Sequence, residues 1–262
     1  MFETRIKNLR KNLTSNKIDG LIVSSAVNIQ YFIGYSNFSR DEREGYLFVT
    51  ESKALLFTDG RYIEAVRNTL PKSVKVFFHT ELYKSIKGSN VKRIGTEQNF
   101  TLAELKKFKK ETGKKFVLVE QIVEKLRAIK DEGEIKNIHA ACRLTDKTFD
   151  MIRQRIKIGA SEKEIAWKIE KFIKENGGEL AFDSIVAFGS NSSIPHHKTS
   201  NKKLTEKNQF VLLDFGAKVN GYCSDMTRTL LTKSASNESH KMYFTLISSI
   251  LIIPGLSFER FL

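Results

Sequence analysis

The stretch LLDFGAKVNGYCSDMTRT, residues 212–229, constrains the fold of this 262-residue chain more than any other segment. Its centre is Asn220-Gly221, the strongest short-range signal for a two-residue hairpin turn. Because side chains alternate with period two, a turn there puts Asp214 and Asp225 diagonally on one face, about 7–8 Å apart. The turn predicts these cross-strand pairs: Val219 with Tyr222, Gly216 with Asp225, and Asp214 with Thr227.

Two carboxylates this close can bind common metal ions, because hard divalent cations prefer carboxylate oxygens. Leu213 and Phe215 point to the opposite face of the ribbon, and Asp214 follows an apolar run, so its charge needs compensation. The spacing alone leaves other interpretations open. Either aspartate could cap a turn, be an edge-strand charge, or be a buried, hydrogen-bonded carboxylate.

Helix and strand patterns alternate along the first part of the chain, which predicts an α/β domain with a mixed sheet. Strands are predicted at 21–23, 46–50, 54–58, 74–78, 93–96 and 116–119. The alternation of predicted helices and strands changes near residue 125, where we place a domain boundary. A long helix is predicted from Asp131 to Gly159, and Ser161 with Glu164 forms a capping box for the next helix. A strand at 184–188, a polar loop at 189–203 and the aspartate hairpin follow.

Net charge and cysteine content limit the classes of function. The formal charge of +14 raises the possibility of a nucleic-acid partner, but the densest lysines accompany a helical apolar pattern at 102–108 and are expected on its solvated side. The chain lacks a zinc finger or RNA-recognition signature, so we expect no specific nucleic-acid binding. The N-terminus lacks a signal-peptide core, and Cys142 and Cys223 are expected to be reduced thiols in the cytoplasm.

Several segments in the same order resemble the Xaa-Pro aminopeptidase and prolidase family, metallopeptidases of the creatinase, or pita-bread, fold. Residues 6–36 and 54–66 are similar to its creatinase-like N-terminal domain, and residues 125–152 to the helix that opens its catalytic domain. The stretch FDSIVAFGSNSSIPHHKTSNKKL, residues 182–204, and the hairpin complete the resemblance. The likeness implies a creatinase-like mixed-sheet domain at 1–124, an incomplete pita-bread domain at 125–243, and an atypical apolar tail at 244–262.

The resemblance implies a role for each matching position. Asp214 and Asp225 correspond to ligands of two divalent metal ions, with manganese favoured and zinc or cobalt as alternatives. His196 corresponds to the active-site histidine that contacts substrate, and Thr227 to a partner of the carboxylates. His197 is the alternative to His196, and the pair could also be exposed loop residues. The implied substrate is a peptide with proline in second position, and a homodimer is expected.

The sequence departs from the family pattern after the hairpin. The family completes its metal site with a histidine and two glutamates, whereas Glu238, His240 and Glu259 stand in no matching motif. We therefore expect a truncated, weakly active or inactive peptidase, with a tail from Phe244 too short to span a membrane. The alternatives are a non-catalytic creatinase-fold protein for binding or self-association, and a basic nucleic-acid-binding protein.

Overall fold

The computed structural model describes the backbone of residues 1–251 and the side chains of residues 1–245. The chain forms two compact units, Met1–Gly133 and Glu134–Leu262. The apolar tail predicted at 244–262 extends past the described residues, and Glu259 lies outside them. No helix in the described part of the chain combines the length and hydropathy of a membrane span.

The elements of the first unit are α1 (Phe2–Ser15), β1 (Gly20–Val23), α2 (Ala26–Ile33), β2 (Gly45–Thr50), β3 (Ala54–Thr58), α3 (Gly60–Arg67), β4 (Val74–Phe78), α4 (Leu82–Lys87), β5 (Arg93–Thr96), α5 (Leu102–Thr112), β6 (Lys115–Leu118) and α6 (Ile122–Ala128). Helix α7 (Glu132–Arg153) begins two residues before the division, and most of it belongs to the second unit. The second unit continues with α8 (Glu162–Glu175), β7 (Glu179–Leu180), β8 (Ile185–Phe188), β9 (Phe210–Phe215), β10 (Ala217–Val219), β11 (Tyr222–Cys223), β12 (Met226–Leu231) and α9 (Asn237–Leu251). Short 3-10 helices lie at His79–Glu81 and Gly189–Ser193.

The first unit is built on a mixed sheet in the order β4-β3-β2-β1-β5-β6. The β1–β2 and β2–β3 pairs are antiparallel, whereas β3–β4, β1–β5 and β5–β6 are parallel. Both faces of the sheet are covered: Leu21 and Val23 pack in one apolar cluster, and Ile22 between them packs in another. This double burial explains why β1 and β2 read as continuous apolar runs.

The prediction of an α/β mixed-sheet domain is confirmed, and the strands predicted at 54–58, 74–78 and 93–96 have the bounds of β3, β4 and β5. The boundary expected near 125 falls within α6, whereas the first compact unit extends to Gly133. Leu126, which lies beyond the expected boundary, still packs against the core of the first unit. The exposed lysines at 106, 107, 109 and 110 lie on α5, on the solvated side that the pattern predicts.

The second unit packs α8 against small antiparallel sheets in the orders β12-β9-β8 and β11-β10-β7. Its apolar core takes Ile165, Ile169 and Ile173 from one face of α8 and Leu213 and Phe215 from β9. The capping box of α8 is confirmed, since Ser161 Oγ accepts a hydrogen bond from the Glu164 N–H at 3.2 Å and the Glu164 carboxylate accepts one from the Ser161 N–H at 2.6 Å. The preceding helix, α7, ends at Arg153 rather than at the predicted Gly159.

Candidate active site

The aspartate hairpin forms with the register that the sequence predicts. Asp214 pairs with Thr227 between β9 and β12, and Val219 pairs with Tyr222 between β10 and β11. Asn220 and Gly221 have φ values of 50° and 82°, the left-handed geometry at both central positions that a type I′ turn requires. The same register places Asp225 opposite Gly216, between these two pairs.

The two strands of the hairpin approach each other closely at Gly216. A Cβ atom placed on Gly216 would lie 2.0 Å from the carbonyl oxygen of Ser224, so only glycine fits there. Two buried hydroxyls support the next residue, because the Ala217 N–H donates to Thr145 Oγ1 at 3.0 Å and to Ser224 Oγ at 3.1 Å. These contacts fix the backbone at the point that separates Asp214 from Asp225.

Asp214 lies half-buried on the face opposite the core, while its neighbours Leu213 and Phe215 are fully buried. Burial and the charge of Asp225 raise the pKa of Asp214, whereas a hydrogen bond from the Thr227 side chain and the charge of His196 oppose that rise. The electrostatic surroundings of Asp214 thus include three other residues for which the sequence predicts a role in the site. Asp225 and Thr227 are exposed, so this face of the ribbon is open.

The two histidines face different surroundings. The His197 N–H donates to the Ile194 carbonyl at 3.2 Å, which closes a turn with Pro195 and His196 at its centre. His196 has a φ of 54°, and proline followed by a positive φ is the pattern of a type II turn. The His196 side chain is exposed, whereas that of His197 is 11% exposed and its Nε2 lies 3.0 Å from the Glu162 carboxylate.

Glu162, which sequence reasoning missed, is the main polar anchor of the loop that carries these histidines. Its side chain is fully buried at the first position of α8. Burial acts to raise the pKa of Glu162, but hydrogen bonds from Ser200, His197, the Phe188 N–H and Asn191 outweigh it and lower the pKa to about 2. No local pattern distinguishes Glu162, because an acidic residue in the first turn of a capped helix is ordinary.

The donor set on the ribbon fits one side of a site for hard divalent cations. Asp214 and Asp225 repel each other, and a cation between them would replace that repulsion with attraction. The described residues include no group of three or more His, Cys, Asp and Glu side chains that could hold a metal ion. The two carboxylates are therefore the residues in the described chain that would contribute to such a site.

Comparison with known proteins places the chain among peptidases. Residues 136–251 match Metallopeptidase family M24, and residues 5–129 match the Creatinase/Prolidase N-terminal domain. Over 242 residues the chain is 32% identical to a protein named Xaa-Pro dipeptidase from Pyrococcus furiosus, covering 91% of this chain and 68% of that protein. The chain belongs to metallopeptidase family M24. A putative Xaa-Pro aminopeptidase of Mycoplasma pneumoniae is 34% identical over 236 residues, which cover 88% of this chain and 64% of that protein.

Solved structures show the same fold as this M24 chain. An Xaa-Pro dipeptidase from Bacillus anthracis superposes with a TM-score of 0.87 at 29% identity, covering 96% of this chain and 71% of that one. The prolidase of Pyrococcus horikoshii gives a TM-score of 0.84 at 29% identity and covers 94% and 70%. The fold is thus a creatinase-like N-terminal domain with part of a pita-bread domain, as the resemblance implied. Membership of this metallopeptidase family implies divalent metal ions.

Proposed function

We propose that this chain is a metal-dependent peptidase for peptides with proline in second position. The observation that carries the proposal is the environment of Asp214, which combines Asp225 and Thr227 of the same ribbon with His196 of the loop at 189–203. Relatives and structural neighbours named Xaa-Pro dipeptidase, Xaa-Pro aminopeptidase and prolidase support the substrate class. Their names include both dipeptidases and aminopeptidases, so the two substrate lengths must be compared directly.

The proposed roles follow from where the side chains lie. Asp214 and Asp225 would hold the cations, and Thr227 would keep the Asp214 carboxylate ionised and oriented through its hydrogen bond. Two divalent cations, when bound, would supply an activated water and a positive field for the developing oxyanion. His196, exposed beside this face, would contact the substrate and help stabilise that oxyanion. His197 is held against Glu162, which favours His196 over His197 in this role.

Manganese is the favoured metal, because carboxylate-rich sites suit it, and zinc or cobalt are the alternatives. We propose that the 262-residue chain alone hydrolyses its substrate slowly or not at all, since two carboxylates offer a divalent cation few ligands.

Cys142 and Cys223 are both free and exposed, which supports a reducing, cytoplasmic location. A homodimer remains part of the proposal, and sedimentation velocity of the purified chain would test it.

The test is hydrolysis of Ala-Pro and Arg-Pro-Pro with added Mn²⁺, followed by mass spectrometry, with Ala-Ala and Arg-Ala-Ala as matched peptides. Slow cleavage confined to the proline peptides and lost in Asp225→Asn supports the proposal. Cleavage that survives Asp225→Asn would place the chemistry elsewhere. Peptide binding that leads to no cleavage and is unchanged in Asp225→Asn would favour the non-catalytic alternative, and retention on DNA that falls steeply with salt would favour a nucleic-acid-binding protein.

A further inference from the structure

A buried carboxylate outside the aspartate ribbon organises the loop at 189–203. Glu162 is the first residue of α8, and its side chain is fully buried. Its two oxygens accept five hydrogen bonds from this loop and the strand before it: Phe188 N at 2.9 Å, Asn191 Nδ2 at 2.8 Å, His197 Nε2 at 3.0 Å, Ser200 N at 3.0 Å and Ser200 Oγ at 2.6 Å. Hydrogen bonds to an ionised acceptor are about twice as strong as neutral ones.

The backbone of α8 binds the end of the same loop. The Glu162 N–H donates to the Lys202 carbonyl at 3.0 Å, and the Lys163 N–H donates to the Ser200 carbonyl at 3.1 Å. The Lys202 ammonium then reaches back to the Phe188 carbonyl at 2.8 Å. Both ends of the loop are therefore fixed at the N-terminus of one helix, and the histidines lie between them.

The interaction with Glu162 also determines that the Nε2 atom of His197 carries a proton. A carboxylate with its pKa lowered to about 2 is ionised at neutral pH and can only accept hydrogen bonds. His197 Nε2 must therefore carry the proton that it shares with Glu162. Because His196 and His197 are adjacent in a tight turn, the backbone that holds His197 in place also sets the direction of the Cα–Cβ bond of His196.

We propose that Glu162 is a positioning residue: it holds His197, and through the turn it fixes the direction in which His196 faces. Glu162 would affect the proposed reaction only indirectly, by positioning His197 and His196. The catalytic significance of the arrangement rests on the proposed function, in which His196 contacts the substrate. The anchoring of the loop by Glu162 and His197 is independent of that function.

Two variants of nearly equal size test the anchor. His197→Gln keeps an amide N–H donor at the end of the side chain, whereas His197→Leu removes the donor. Native-state hydrogen exchange by NMR should show the backbone amides of residues 197 and 200 exchanging about tenfold faster in His197→Leu, with near wild-type rates restored in His197→Gln. Amides of β9, such as those of Leu213 and Phe215, should be unchanged in both variants. Glu162→Gln should accelerate exchange throughout the loop and also at Phe188.

A second readout on the same samples separates the anchor from the proposed function. Added Mn²⁺ should broaden the imidazole signals of His196 in the wild-type chain, less so in His197→Leu, and again fully in His197→Gln. Equal exchange rates and equal broadening in the Leu and Gln variants would overturn the positioning role. If exchange follows the prediction while Mn²⁺ broadens no histidine signal even in the wild type, the anchor is supported and the metal site on the ribbon is rejected.

Discussion

Asp214 on β9 lies directly opposite Thr227 on β12, and the two side chains share one face of the ribbon. Burial and the charge of Asp225 raise the pKa of Asp214, whereas the neighbouring Thr227 side chain acts to lower it. The folded ribbon therefore retains an unfavourable electrostatic interaction between Asp214 and Asp225. Such a conflict is expected where carboxylates serve a ligand rather than the stability of the fold.

Asp225→Asn should change stability and metal binding in opposite directions. Removing the charge relieves the repulsion on Asp214, so without metal the free energy of unfolding should rise by about 0.5 kcal/mol. Urea unfolding at neutral pH measures this change. Asp150→Asn is the control, because Asp150 is exposed and pairs with an exposed Arg153. A loss of stability in Asp225→Asn would contradict the repulsion.

Gly216→Ala should disrupt the site from within the ribbon. The added methyl would lie 2.0 Å from the Ser224 carbonyl, so the strands must separate at the point between the two aspartates. We expect a loss of roughly 3 kcal/mol in unfolding free energy, in the range of severe overpacking. Gly60→Ala is the matched control, since its Cβ would meet only a Phe78 ring atom at 3.7 Å. Equal stability of the two variants would refute the close approach.

The acid sensitivity of the chain should include a contribution from Glu162. Its folded-state pKa of about 2 is depressed from the ordinary value of 4.5. The stability that this ionised group contributes is therefore complete above pH about 4.5 and is lost as pH falls from there towards about 2. Unfolding free energies of wild type and Glu162→Gln should differ most at neutral pH and converge across that window. A difference that stays constant down to pH 2 would rule out the depressed pKa.

A fragment of residues 1–133 should fold alone with a cooperative thermal transition. Both apolar clusters that cover its sheet lie wholly within these residues. A fragment that ends at residue 120 lacks Ile122 and Val123, which are buried in that core, and should melt at a lower temperature. Circular dichroism melts of the two fragments make the comparison. Identical melting temperatures would show that α6 does not belong to the first unit.

Elements with a clear local signal were predictable from the sequence. The Asn220-Gly221 turn fixes the register of the hairpin, and the pair Ser161 and Glu164 marks the start of α8. The elements that were missed lack such signals. Helix α2 is short and buried on several sides, with Ile29, Phe32 and Ile33 all fully or almost fully enclosed, so its apolar residues show no simple helical stripe.

The site shows the same division. Alternation along the ribbon predicts that Asp214 and Thr227 share a face, because strand geometry determines it locally. His196 and His197 differ in their surroundings because His197 contacts Glu162, which is more than thirty residues away in sequence. No local pattern encodes such a contact. The anchoring role of Glu162 therefore depends on the tertiary structure, which brings the loop against the start of α8.

Metal binding by Asp214 and Asp225 is tested most directly by a Mn²⁺ titration of the purified chain, monitored by the electron paramagnetic resonance signal of free Mn²⁺. We expect weak binding by the wild type, similar binding by Asp150→Asn, and binding at least about tenfold weaker in Asp225→Asn and in Asp214→Asn. Wild-type affinity in both ribbon variants would contradict a metal site on the ribbon, because the cation would then be held by residues other than the two aspartates of the hairpin.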